Sequence, residues 1–171
     1  QADDFEISTI FDLINFRAIR IEGKVTGEGY LTSTLSAPDV DFNVHTDSLY
    51  LDYARVGEAN ANLGWSSERK EIYLNGKVRN DSNDMSYVNG FFSQPRDTIE
   101  LKIKGTNINA AFIEEKIKGF LDEIDGVANG EVALRGKWNH IDIYGGLTLN
   151  ASTRVKATNT RYWLRGDSLK F

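Results

Sequence analysis

Alternation of apolar and polar residues with a period of two is the feature that most constrains this chain. Such a period places every second side chain on one face of a strand, so it specifies sheets with one buried and one wetted surface. Ile19 and Ile21 alternate with Arg20 and Glu22, and Val40, Phe42 and Val44 with Asp41 and Asn43. The pattern recurs at Leu49, Leu51 and Tyr53, at Ile72 and Leu74, at Ile99, Leu101 and Ile103, at Ile141 and Ile143, at Leu147 and Leu149, and at Tyr162 and Leu164. The expected architecture is mostly β, an antiparallel meander of many short strands.

Glycine-containing dipeptides punctuate these runs. Gly145-Gly146 separates two of them by two residues and reads as a hairpin turn, whereas Asn75-Gly76 lies inside a run and reads as either a turn or a bulge. Asn89-Gly90 and Asn129-Gly130 are further turn signals. Two segments change period. Over residues 109–124, Phe112, Ile113, Ile117, Phe120, Leu121 and Ile124 recur at helical spacing, with Asn109 as N-cap and Gly126 as stop. Residues 8–16 form a shorter stripe of Ile10, Phe11, Leu13 and Ile14. Two short amphipathic helices packed on the apolar face are expected.

The chain also repeats itself. Gly23 and Gly27 recur 103 positions later as Gly126 and Gly130, which sets repeats at about 5–65 and 107–171. A shorter motif, Asp-Ser/Thr feeding a strand, occurs at Asp47, Asp97 and Asp167. The chain opens on Gln1 rather than Met and closes on what reads as a strand opening, so it is expected to be a single fragment of a larger repeat protein.

Function classes narrow by composition. A formal net charge of −5 argues against a nucleic-acid surface, and the absence of cysteine removes disulfides, thiolate metal sites and Cys nucleophiles. No apolar run approaches the roughly 20 residues of a membrane span. His45 and His140 read as exposed strand residues. Asn80, Asp81, Ser82, Asn83 and Asp84 read as a polar loop that lacks the glycine and terminal glutamate of a calcium loop. Gly23 to Gly29 lacks the Gly-Lys-Ser/Thr ending of a phosphate loop, and no Gly-x-Ser-x-Gly elbow occurs. The reading is non-enzymatic, with no metal and no cofactor. Trp65, Trp138 and Trp163 read as core-edge aromatics or as a sugar-stacking face.

One family pattern stands out. Residues 97–171 carry Gly126 to Gly130, Val132, Leu134, Gly136, Trp138-Asn139-His140-Ile141, Gly145-Gly146, Thr158-Asn159-Thr160-Arg161-Tyr162 and Asp167-Ser168-Leu169. This resembles the C-terminal repeat region of the TamB (AsmA-like) envelope proteins, with a fainter copy over residues 5–65. The family's proline near Asn139 is missing, its glycine near Ile143 is delayed to Gly145, and Pro38 fills the equivalent place in the first copy.

The resemblance implies an elongated, bent, taco-like β-sheet with an apolar inner surface. It also implies a periplasmic location in Gram-negative bacteria, anchored to the inner membrane through a segment preceding this fragment. The implied partners are phospholipid acyl chains or outer-membrane assembly proteins. On that reading Ile19, Ile21, Val40, Phe42, Val44, Leu49, Leu51, Ile99, Leu101, Ile103, Ile141, Ile143, Leu147 and Leu149 line a lipid groove. The same residues serve equally as the core of a closed β-sandwich that recognises a glycan or a partner protein, or as part of a spacer whose strand edges pair with neighbours.

Overall fold

The computed structural model describes residues 2–6, 20–32, 38–114, 118–137 and 140–170, with side chains from Glu6 onward. Among these, eleven strands form one antiparallel sheet. They are β1 (Ala2–Glu6), β2 (Ile21–Glu22), β3 (Lys24–Thr32), β4 (Asp39–Leu51), β5 (Ala54–Ser66), β6 (Glu71–Arg79), β7 (Met85–Ser93), β8 (Thr98–Asn109), β9 (Leu121–Lys137), β10 (His140–Val155) and β11 (Thr160–Lys170). From β3 to β11 each strand pairs with the next in sequence, β1 lies outside β3, and β2 pairs with an end of β4. The expected antiparallel meander is therefore present as an open sheet, but its strands are not short: β9 runs 17 residues and β10 16, because glycines expected to turn the chain lie inside them.

The turns are not where the glycine dipeptides suggested. Gly145-Gly146 lies in the middle of β10, paired with β9 on both sides, and Asn75-Gly76, Asn89-Gly90 and Asn129-Gly130 are likewise inside strands. At Gly145 (φ 117°) the glycine serves close strand approach, because a Cβ there would run into the Glu131 carbonyl of β9. The tight β4–β5 hairpin turns instead on Asp52 and Tyr53, at φ 43° and 71°. Positive φ at both central positions is the geometry that suits the strand twist, though it is usually taken by Asn-Gly.

Tertiary contacts hold this turn. Asp52 N–H donates to the Arg20 carbonyl at 2.8 Å, Arg20 N–H donates to Asp52 Oδ1 at 2.9 Å, and the Arg20 guanidinium stacks 4.7 Å from the Tyr53 ring centre. The Asp-Ser/Thr motif divides in the same way. Asp97 does precede β8, but Asp47 sits at a bulge within β4, and Asp167 follows Gly166 inside β11.

Of the helix expected over residues 109–124, the described residues show a 3-10 helix, Ala110–Ile113, with Glu114 helical after it; residues 115–117 lie outside the described residues. Asn109 does cap the 3-10 helix, accepting from Ala111 N–H at 3.0 Å. Leu121 and Ile124, counted on the helical stripe, belong to β9, and Gly126 continues that strand instead of stopping a helix. The reason is sheet pairing: β9 finds partners on both sides along most of its length, which outweighs a weak local preference. The other expected helix, residues 8–16, lies outside the described residues.

The 3-10 helix caps one end of the apolar face. Ala110, Ile113, Ile124, Ala128, Leu149 and Ala151 form a buried cluster, with Phe112, Leu147 and Leu164 against it. The β6–β7 hairpin is short, leaving the start of β5 and the end of β8 without partners from it. There β5 approaches β8 and the 3-10 helix, and the sheet curls. The hairpin loop is tied to the same end: Asn80 Nδ2 donates to the Asn107 carbonyl at 2.9 Å, and Asn107 Nδ2 donates to Asp84 Oδ2 at 2.9 Å. Asn80 Oδ1 accepts from Ser82 and Asp84 N–H, each at 2.9 Å, so this polar cluster is a turn stitched by its own side chains.

Two pairs of glycines 103 residues apart have similar strand neighbours. Gly27 faces Val44 as Gly130 faces Leu147, and the backbone of Ser48 closes on Gly23 where that of Asn150 and Ala151 closes on Gly126.

A one-sided apolar lane as candidate functional site

Residues that pair across antiparallel strands share a face. The register therefore assembles the apolar positions of β4 to β10 into cross-strand rows. One row runs Val40, Trp65, Ile72, Phe92, Ile99, Gly136, Ile141. The next runs Phe42, Leu63, Leu74, Gly90, Leu101, Leu134, Ile143, and a third runs Val44, Ala61, Gly76, Val88, Ile103, Val132, Gly145. Seven strands at about 4.8 Å spacing give a lane on the order of 29 Å long.

This lane is not sealed. Phe42 is 49% exposed, Ile72 46% and Ile143 49%, while Val40, Val44, Leu63, Trp65, Leu74, Leu101, Ile103 and Ile141 are half-buried. Ile99 alone among the expected lane residues in these rows is buried.

The other expected positions fall elsewhere. Leu147 and Leu149 sit at the capped end, where Leu149 is part of the buried cluster. Leu49 and Leu51 lie beyond the β4 bulge, with Leu51 paired to Ile21 and all three half-buried. Ile19 lies outside the described residues. The sequence reading did not assign Leu63, Trp65, Val88, Phe92, Val132 or Leu134 to the lane. Their signal was present but diluted, because Ala59 and Ala61 precede Leu63 in β5 and Gly90 interrupts β7.

The reverse face is polar and well paired. Glu100 on β8 meets Lys102 at 3.4 Å and Arg135 of β9 at 3.3 Å, and Lys104 meets Glu131 at 3.5 Å. Tyr73 of β6 reaches across Gly64 of β5 to donate to Asp41 of β4, and a Cβ at Gly64 would overlap its ring. Asp41 as acceptor, then desolvation, holds the Tyr73 phenol above its ordinary pKa. His45 contacts Asp47 and Asn60, each at 3.1 Å, and the Asp47 hydrogen bond raises its pKa. Ser67 donates from its backbone (2.7 Å) and its hydroxyl (2.9 Å) to Asp39, which lowers that carboxyl's pKa. Near the loop end of β6 the Glu71 carboxylate is buried beneath Arg96, which also bonds Ser93 at 3.1 Å and lies over Phe91.

Trp65 and Trp163, the two tryptophans among the described residues, do not share a platform. Trp65 is in the apolar rows of β5, Trp163 on β11 points to the opposite face from its neighbour Leu164, and Trp138 lies outside the described residues.

These features define the class: an open, single-layer antiparallel sheet with an apolar lane on one face and ion pairs on the other. No family model, curated protein or solved structure matches the chain. Among the described residues no helix is long and apolar enough to cross a membrane.

Proposed function

We propose that this chain is a non-enzymatic segment of a lipid conduit, a bent, taco-like sheet whose apolar face carries phospholipid acyl chains. The observation that carries this reading is the continuity of half-exposed apolar rows from β4 to β10 with Phe42, Ile72 and Ile143 open at their surface. At about 0.8 kcal/mol per buried methylene, a sixteen-carbon chain in water is disfavoured by on the order of 12 kcal/mol. A carrier offsets this with an apolar track free of unpaired polar groups, because each such group would be desolvated as the cargo passes. Shallow contacts repeated from strand to strand suit sliding better than one deep pocket does. The resemblance to the TamB (AsmA-like) proteins adds the setting: the periplasm, an inner-membrane anchor outside this segment, and phospholipid or outer-membrane strands as cargo.

The test is capture of a photoreactive phospholipid by the purified chain. Leu101→Asp with Ile143→Asp places two carboxylates in one row of the lane and is expected to abolish crosslinking, while Lys102→Ala on the reverse face is expected to leave it intact. Equal behaviour of the two variants overturns the reading. Crosslinking of an outer-membrane strand peptide instead of lipid reassigns the lane to protein cargo.

A further inference from the structure

The reverse face of β4 to β7 carries an unusual row. Asn43, Asn62, Asn75 and Asn89 are paired in direct succession across four strands. Asparagine is disfavoured in strands, so four in register at strand centres work against sheet propensity. One amide contact ties two of them, Asn62 Nδ2 donating to Asn43 Oδ1 at 3.1 Å. The Asn75 and Asn89 side chains have no partner among the described residues and are exposed. Beside this row runs a second, in which Lys77 pairs with Tyr87.

Lys77 contrasts with its neighbours. Lys102 and Lys104 are engaged by Glu100 and Glu131, whereas Lys77 has no ion pair among the described residues. Tyr87 is 47% exposed, and its hydroxyl is likewise without a partner there. The two rows border a depression of about 460 Å³, and between them run Val44, Ala61, Gly76 and Val88, positions that the alternation assigns to the apolar face.

The chemistry of these groups is specific. Each amide offers both donors and an acceptor, the complement of a vicinal pair of hydroxyls. A tyrosine ring offers a flat apolar face with a polar tip. A lone ammonium in a chain of net charge −5 attracts an anionic substituent.

We propose that this depression is a saccharide-binding site for a glycan bearing an anionic group, with Asn75 and Asn89 reading ring hydroxyls, Tyr87 stacking on the ring, and Lys77 meeting the charge. The site lies on the opposite face from the apolar lane and stands or falls independently of it.

The test is isothermal titration of the purified chain with tetragalacturonate, with neutral cellotetraose and with inorganic phosphate. The acidic tetrasaccharide is expected to bind about tenfold more tightly than the neutral one, the equivalent of one charge-assisted hydrogen bond. Lys77→Gln is expected to erase that preference, so that the acidic and neutral tetrasaccharides bind alike. The pair Asn75→Thr and Asn89→Thr is expected to weaken both ligands by about tenfold or more. Threonine is the better strand former, so these variants keep the fold and separate recognition from stability. Absence of saccharide binding, phosphate binding as tightly as tetragalacturonate, or threonine variants that bind like the parent would each overturn the proposal and leave the row as a strand-pairing device.

Discussion

The capped end of the sheet and the open lane are built from the same alternating pattern, yet one is a core and the other a surface. Leu149 and Leu101 both occupy inward positions of long central strands, β10 and β8. Leu149 is buried with Ala110, Ile113 and Ala128 because the chain folds the 3-10 helix back over it. Leu101 sits in a row over which no described segment folds, and it remains half-buried. A period of two specifies which side chains share a face; it does not specify what covers that face.

A matched truncation in the two regions separates core from surface by the largest margin. Leu149→Ala removes a side chain from a closed cluster and is expected to destabilise by about 2–4 kcal/mol, through lost transfer energy and the cavity left behind. Leu101→Ala removes one already half in water and is expected to lose no more than about 1 kcal/mol. Urea denaturation measures both, and equal losses would mean that the lane is as well packed as the capped end.

A smaller effect probes the reverse face. Gly64→Ala pushes the Tyr73 ring off β5, breaks its bond to Asp41 and crowds the Val40 carbonyl of β4, a loss of at least about 1 kcal/mol. Because that bond raises the Tyr73 pKa, the variant's phenol should ionise at lower pH in an ultraviolet difference titration. A titration curve unchanged from the parent would refute the bridge across Gly64.

The smallest effect concerns His45. Its folded-state pKa is raised above the ordinary value of 6.5, chiefly by Asp47, so its contribution is full below that pH and fades as pH rises through the raised value. Solvent screening of the exposed Asp47 keeps the contribution small. Asp47→Asn should flatten this part of the stability profile, and a slope unaltered by the substitution would assign it to another group.

Much of the architecture was legible. Alternation at Val40, Phe42 and Val44 and at Ile99, Leu101 and Ile103 named residues that the register does bring into common rows. The middle of the lane was harder to read, because Leu63 follows alanines and Val88 and Phe92 flank a glycine. The turns were misread for a physical reason: glycine serves turns through positive φ and strands through close approach, and sequence does not distinguish these uses at Gly145 and Gly146. Asp52 and Tyr53 are held in their turn by Arg20, which lies 32 residues from Asp52.

Alternation alone was enough to set strands with one apolar and one polar side, since the period of two acts residue by residue along the chain. The fate of residues 109–124 was settled by contacts between segments: β10 pairs with Leu121, Asp122 and Asp125, which puts Leu121 and Ile124 in β9, and β8 joins from Val127 onward. Such contacts also decided which end is closed. Coverage of an apolar face depends on contacts between segments far apart in the chain, and local periodicity carries no record of them.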